Sequence, residues 1–142
     1  MGKTRPGKTT KRSVISGKRG KPILTKLFSG NLSDFKTALV SVDALPKRPK
    51  ILSGDKGFDA QWLRNALRKR HIQSAIARRK TSQGKPRRKL TPVAQQRYKQ
   101  RWKVERAIGW FDGFRRLVIR WERLPIVYQA FTSVAMILIL LR

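Results

Sequence analysis

Residues 51–59 read I-L-S-G-D-K-G-F-D, a brief apolar run that leads into an acid between two glycines. The apolar run predicts a short strand, and Gly54 and Gly57 allow the chain to turn sharply after it. Apolar side chains at helical spacing follow, with Asp59 suited to cap that helix. Residues 72–77 are apolar again and predict a second strand. A strand, a helix and a strand in this order indicate the α/β class.

The N-terminal part of the chain predicts a β-hairpin. Residues 1–13 consist mainly of Lys, Arg, Thr, Gly and Pro, which is typical of a flexible basic arm. Val14 and Ile15, a Gly-rich turn at 17–20 and the apolar run at 23–28 then follow as two strands joined by a turn. A short helix is expected next, ending near Pro46. The folded domain is therefore predicted to span 14–142.

Two helices are expected in the C-terminal part. One begins near Pro92 and continues through Glu105, to about Phe114. The other lies in the apolar stretch 124–141, which just reaches the roughly 18 residues needed to cross ~30 Å of hydrocarbon. The residues alone leave a membrane span and a buried core helix both open.

The charge of the chain is extreme. It has 35 Lys and Arg against 7 Asp and Glu, a formal net charge of +28. Clustered Lys and Arg displace counterions from phosphates, so nucleic acid is the expected partner. An RNA-binding protein of ribosomal type and a membrane-surface protein are weaker interpretations of the same charge. The absence of Cys excludes zinc fingers, disulfides and thiol chemistry and favours a cytoplasmic setting. The basic start has no apolar run behind it and does not predict a secretory signal.

Two of the seven acids lie in strings that suggest a site. Asp55 follows a strand, and the ends of strands are where α/β proteins build sites. The alternative is a turn in which Asp55 bonds nearby backbone amides. Glu105 has Tyr98 and Arg101 seven and four residues before it, which on one continuous helix would form a single stripe. The alternative is a surface Glu paired with an arginine. Two carboxylates in so basic a chain would suit Mg²⁺, which takes oxygen ligands and substrate phosphates.

The stretch 78–89 predicts a basic loop that contacts phosphate. It contains Gly84 and Pro86, and its like charges repel one another unless a polyanion is present. The side chains expected to bind DNA are those of Arg78, Arg79, Lys80, Arg87, Arg88 and Lys89.

Several ordered blocks carry a resemblance over about residues 11–142. They are K-R-S-V-I-S-G-K-R-G-K-P-I, G-N-L-S-D-F, S-G-D-K-G-F-D, Y-K-Q-R-W-K-V-E-R-A-I-G-W-F-D-G-F-R-R-L and R-W-E-R. Together they resemble the C-terminal catalytic part of bacterial insertion-sequence transposases of the DDE class. The resemblance implies a ribonuclease-H-like mixed sheet flanked by helices, incomplete at the N-terminus. It also implies a nucleoid-associated DNA transposase rather than a membrane protein, with the apolar C-terminal stretch as a core helix.

The resemblance assigns roles to four of the residues. Asp55 matches the family's second catalytic Asp and Glu105 its catalytic Glu, which together hold Mg²⁺ or Mn²⁺. Tyr98 and Arg101 match a Tyr and an Arg that contact DNA near the scissile end. The reaction implied is strand cleavage at the ends of the insertion sequence, followed by joining of the 3′-hydroxyl to target DNA.

Two positions depart from the family pattern. Gly17 stands where the family has its first catalytic Asp, and Asp112 stands where a Lys or Arg is frequent. A glycine cannot replace the missing metal ligand. The chain is therefore expected to be a truncated or split copy. The alternative is a non-catalytic DNA-binding remnant or a partner subunit, which would act as a homo-oligomer or with another transposase fragment.

Overall fold

The structure is a computed structural model that describes residues 2–4, 7–79 and 90–142. Three strands come first, helices and strands then alternate, and helices follow from Pro92 onward. In chain order they are β1 (Gly2–Thr4), β2 (Gly7–Ser16), β3 (Pro22–Ser29), α1 (Asp34–Asp43), β4 (Ile51–Gly54), α2 (Gln61–Lys69), β5 (Gln73–Ile76), α3 (Pro92–Lys99), α4 (Trp102–Asp112), α5 (Arg115–Val118) and α6 (Pro125–Leu141). The chain divides into two compact units, the first containing Met1–Ser41 with Lys103–Arg142 and the second Val42–Trp102.

The predicted hairpin is present in the first unit and is longer than expected. Strands β2 and β3 pair antiparallel, with Val14 opposite Thr25 and Thr10 opposite Ser29. Strand β1 pairs antiparallel with β2 in turn. Strands therefore cover most of residues 1–13, for which the sequence predicted a flexible arm. Pairing with β3 gives this Lys- and Thr-rich segment a hydrogen-bonded partner that its composition does not reveal.

A tight turn joins β2 to β3. Gly17 N donates to Lys21 O and Gly20 N donates to Gly17 O, each over 2.9 Å. Gly20 has a φ of +83°, a region that side chains rarely adopt, and a Cβ there would lie 2.6 Å from Nη2 of Arg106. Glycine at this position thus serves both the turn and the close approach of α4.

The core of the first unit lies against α6. This helix begins at Pro125, which suits a first helical turn, and packs on β3. Its buried face consists of Tyr128, Thr132, Ala135 and Ile139 at offsets of four and three residues, and joins Phe111 and Leu117 in one cluster. Its opposite side is exposed, so the predicted core helix is buried along one face only. Among the described residues no helix is long and apolar enough to cross a membrane.

The second unit is a strand–helix–strand arrangement with an added helix. Strands β4 and β5 pair in parallel, with Ile51 opposite Gln73 and Gly54 opposite Ile76, and α2 provides the crossover that parallel strands require. Helix α2 packs on β5, and α3 packs on both strands. Buried apolar side chains fill the space between them, namely Leu63, Leu67, Ile72, Ala75, Ile76 and Ala94.

The predicted α/β class is confirmed, with two differences in detail. Within the described ranges, hydrogen bonds join the strands into one sheet of three and one of two, rather than into a single mixed sheet. The single helix expected from Pro92 to about Phe114 is two helices, because α3 ends at Lys99. Gln100 and Arg101 form a turn in which Arg101 N donates to Tyr98 O over 3.1 Å.

Candidate functional site

Asp55 lies directly after β4, at the carboxyl end of a parallel strand. Its Oδ1 accepts a hydrogen bond from Lys56 N over 2.8 Å and so caps a short 3₁₀ turn, Lys56–Phe58. The side chain is nevertheless 64% exposed. Asp55 is thus a turn cap, as one interpretation of the string predicted, and its catalytic role stays a prediction. Gly54 and Gly57 both lack a positive φ, so the turn does not use the conformational freedom predicted for them.

In the second unit Arg101, a further predicted site residue, lies beside Asp55. Nη1 of Arg101 lies 3.7 Å from Asp55 Oδ1, and the Arg101 guanidinium lies 5.8 Å from the centroid of the Tyr98 ring. An ion pair this exposed contributes at most about 1 kcal/mol to stability. Its consequence is positional, because it places a guanidinium that also lies near the Tyr98 ring beside an exposed carboxylate. The break between α3 and α4 means that Tyr98 and Arg101 do not share a continuous helix with Glu105, as the sequence predicted.

Glu105 is exposed on the first turn of α4, in the first unit. Two basic side chains next to Glu105 hold this part of α4 against the β2–β3 turn. Lys103 Nζ donates to Lys18 O over 2.8 Å, and Arg106 Nη2 donates to Arg19 O over 3.4 Å. The position of Glu105 is thus defined by its own unit. That Glu105 lies close to Asp55, which belongs to the second unit, stays a prediction.

The described part of the chain contains no group of three His, Asp or Glu side chains placed to hold a metal ion. Asp55 and Glu105 are both exposed carboxylates, which have the donor chemistry that Mg²⁺ and Mn²⁺ prefer. A third acid at position 17 would have little room, because a Cβ on Gly17 would lie 3.1 Å from Cγ2 of Ile23. Each of the two carboxylates has oxygens of the kind that a divalent metal ion binds, and a shared metal site stays a prediction.

The sequence did not predict an ion pair made by Asp59, the second acid of the G-D-K-G-F-D string. Asp59 does not cap α2, whose N-cap is Ala60 without a side-chain hydrogen bond. Asp59 Oδ1 instead accepts from Arg64 Nη2 over 2.6 Å and from Nε over 3.0 Å. Partial burial acts to raise the pKa of Asp59, but hydrogen bonds from Arg79 N and Arg64 outweigh it, and the pKa is lowered. The five-residue spacing gave no helical signal for this contact.

The beginning of the predicted basic loop is held against the G-D-K-G-F-D string. Arg79 N donates to Asp59 Oδ2 over 2.7 Å, and Arg79 Nε donates to Lys56 O over 3.3 Å. Arg78 is half-buried in a small cleft lined also by Gln73 and Thr91. The other predicted DNA-binding side chains lie outside the described residues, namely Lys80, Arg87, Arg88 and Lys89.

Comparison with known proteins decides the family. The family model described as "Transposase DDE domain" matches residues 2–140, nearly the whole chain. The chain belongs to the transposase DDE domain family. A family relative in Burkholderia cepacia, named as a transposase for insertion sequence element IS402, is 33% identical over 147 aligned positions. The alignment covers 96% of this chain and 64% of that relative, so the chain spans less than two thirds of the relative's length. No solved structure gives a significant match.

Proposed function

We propose that this transposase domain cleaves DNA at the ends of an insertion sequence and joins the freed 3′-hydroxyl to target DNA in a metal-dependent reaction. Membership of the DDE family supports the reaction class. The net charge of +28 supports DNA as the partner. A ribonuclease-H-like arrangement is proposed for the fold, and the antiparallel strands followed by a parallel strand–helix–strand unit are consistent with it.

One observation carries the proposal. Asp55 is exposed at the carboxyl end of a parallel strand and has Arg101 beside it, 3.7 Å from its Oδ1. Parallel α/β units build their sites at these strand ends. A carboxylate with a guanidinium next to it can hold a cation while the guanidinium, whose planar fork matches phosphate oxygens, binds the substrate phosphate.

The roles of the residues follow from their chemistry. Asp55 and Glu105 would hold Mg²⁺ or Mn²⁺, which supplies activation of the attacking water or 3′-hydroxyl and stabilisation of the leaving oxygen. Arg101 would orient the scissile phosphate, and Tyr98 would contact the strand through its ring and hydroxyl. Arg78 and Arg79, with the basic residues that follow them, would bind the DNA backbone.

Substitution of the two carboxylates tests this assignment. Asp55→Asn and Glu105→Gln should abolish nicking of a duplex that carries the element's ends in Mn²⁺, while DNA affinity stays within about twofold because a single exposed charge changes. Asp34→Asn is the matched control, since Asp34 is 61% exposed and paired with Lys11, and its nicking should equal that of the parent. Parent-like cleavage by both active-site variants would refute the proposal.

A second candidate function is a non-catalytic DNA-binding subunit that assembles with a copy of itself or with another transposase chain. The observation that favours it is that the residues seen in the structure provide no group of three metal ligands. This candidate predicts that pure protein binds DNA with strong salt dependence and does not nick it in Mg²⁺ or Mn²⁺. Nicking by pure protein that Asp55→Asn abolishes would exclude it.

A further inference from the structure

A cleft of about 430 Å³ in the first unit has no role in the reaction proposed above. Its volume falls within the roughly 300–1,000 Å³ typical of small-molecule sites. One part of its wall is apolar and the other carries two arginines and two threonines. The lining residues are Thr9, Thr10, Arg12, Val14, Ile108, Leu117, Val118, Arg120 and Tyr128.

The two arginines are held rigidly over aromatic rings of the core. The Arg12 guanidinium lies 5.0 Å from the Phe111 centroid, and that of Arg120 lies 5.1 Å from the Tyr128 centroid. Arg12 Nη2 also donates to Asp112 Oδ1 over 2.9 Å. Stacking orients both groups, the ion pair with Asp112 adds to this for Arg12, and hydrogen bonds add to it for Arg120, so little conformational entropy would be lost when they bind a ligand.

Two residues that line the cleft carry buried polar atoms without hydrogen-bond partners. The Arg12 side chain is only 13% exposed, and its Nη1 is buried with no hydrogen-bond partner among the described residues. The hydroxyl of Thr9, which also lines the cleft, is buried and unpartnered in the same way. A buried N–H of a charged group is costly when it has no acceptor. The Arg12 guanidinium therefore keeps unused hydrogen-bonding capacity beside a cleft with room for an oxygen-rich ligand.

Charge favours an anion as that ligand. Arg120 donates from Nε to Glu122 O over 2.8 Å, from Nη2 to Arg123 O over 3.4 Å and from Nη1 to Thr10 Oγ1, all of which are neutral acceptors. Among the described contacts, Arg12 pairs with the carboxylate of Asp112 and Arg120 with neutral oxygens, so the two arginines that line the cleft give it a net positive charge beside apolar walls. A low local dielectric strengthens the attraction of such a site for an anion.

We infer that the cleft binds one nucleotide of a DNA strand. Its phosphate would accept hydrogen bonds from Arg12 and Arg120, whose forks match phosphate oxygens. Its sugar and base would lie on the wall formed by Val14, Ile108 and Leu117, since the volume exceeds what a lone phosphate fills. The inference rests on the proposed function for the identity of the polyanion, and it adds a DNA contact made by the first unit alone.

Binding of thymidine 5′-monophosphate to the full-length protein, without metal, tests the inference by calorimetry at low salt. Arg12→Gln and Arg120→Gln should each weaken binding about tenfold, as expected for a lost charged hydrogen bond. The matched control is Arg115→Gln, which removes the same charge from an exposed arginine of α5 that does not line the cleft, and it should bind like the parent. Equal losses in all three variants would mean general electrostatic attraction and would overturn the inference.

A second variant keeps both arginines and their stacking. Ile108→Trp changes an exposed wall residue of α4 and should block the cleft, reducing nucleotide binding about tenfold without unfolding the protein. Parent-like binding by this variant would exclude the cleft as the site. Inorganic phosphate should bind more weakly than the nucleotide, and equal affinity would refute the contact with the sugar and base. Because no cleavage is measured, these results are independent of whether Asp55 is catalytic.

Discussion

Removal of the Asp59 carboxylate should destabilise the second unit strongly, because it leaves a buried cation without its partner. The Arg64 side chain is 9% exposed and that of Asp59 is 16% exposed. Loss of one member of a buried ion pair costs roughly 3–5 kcal/mol. Arg64 would keep its bonds to Ser74 Oγ (3.2 Å) and Ile76 O (2.9 Å). We therefore expect Asp59→Ala to lower the free energy of unfolding by about 3 kcal/mol, the lower end of that range.

Urea unfolding followed by circular dichroism measures this loss, and an exposed pair provides the control. At a slope of roughly 1–3 kcal/mol per molar urea, a loss of about 3 kcal/mol shifts the midpoint by about 1 M or more. Asp34→Ala breaks the exposed Lys11–Asp34 pair and should cost less than about 1 kcal/mol. Adding Arg64→Met to Asp59→Ala should cost less than the sum of the single variants, because the uncompensated charge is then gone.

An Asp59→Ala loss no larger than that of Asp34→Ala would refute the reasoning. Additivity of Asp59→Ala and Arg64→Met would refute it as well, since it would mean that the two side chains do not interact. Either result would imply that Arg64 is solvated in the folded protein.

Three further perturbations have defined outcomes. Phe111→Ala removes a fully buried ring from the core of the first unit and should cost about 3–5 kcal/mol in urea unfolding. His71→Gly should raise the free energy of unfolding by about 0.5–1 kcal/mol, because His71 has a φ of +58° that glycine adopts without strain. The hydrogen bond from Arg70, with smaller Coulombic attractions, outweighs desolvation and lowers the pKa of Asp43 from its ordinary 3.8. The contribution of the ionised Asp43 to the free energy of unfolding is therefore complete above pH 3.8 and is lost as the pH falls through the lowered pKa. Arg70→Gln should flatten the acid limb of a plot of unfolding free energy against pH.

Much of the fold follows from local sequence signals. The turn at Gly17–Gly20 lies between apolar runs, and this pattern predicted the hairpin. The apolar run before Asp55, the helical spacing after it and the run at 72–77 predicted the β4–α2–β5 unit. In each case the period of the apolar residues matches the element that buries them.

Other features depend on contacts distant in sequence. The turn at Gln100 and Arg101 carries no Gly or Pro, and Arg101 there reaches Asp55, 46 residues earlier. Strand β2 extends into a segment with few apolar residues because β3 pairs with it. The α6 sequence is apolar on all sides and could not reveal which face packs on β3, although the helix was expected in the core.

The candidate site, like the fold, was predictable only where local sequence signals were sufficient. The composition and the acidic strings identified Asp55 and Glu105 as candidates, and the quoted blocks pointed to the family to which the chain belongs. The proximity of Arg101 to Asp55 was not visible in the spacing of either string. The Asp59–Arg64 pair and the cleft beside Arg12 both depend on tertiary packing and had no signal in the sequence.

Iron-directed backbone cleavage tests the central claim, that Asp55 and Glu105 hold one metal ion. Fe²⁺ binds the carboxylate oxygens that suit Mn²⁺, and with ascorbate and peroxide it generates radicals that cut the nearest backbone. Mapping of the fragments by mass spectrometry should give cuts in both the G-D-K-G-F-D and the W-K-V-E-R strings, and both cuts should disappear in Asp55→Asn alone and in Glu105→Gln alone. Cuts at one string only, or cuts at the second string that survive loss of the first carboxylate, would contradict it.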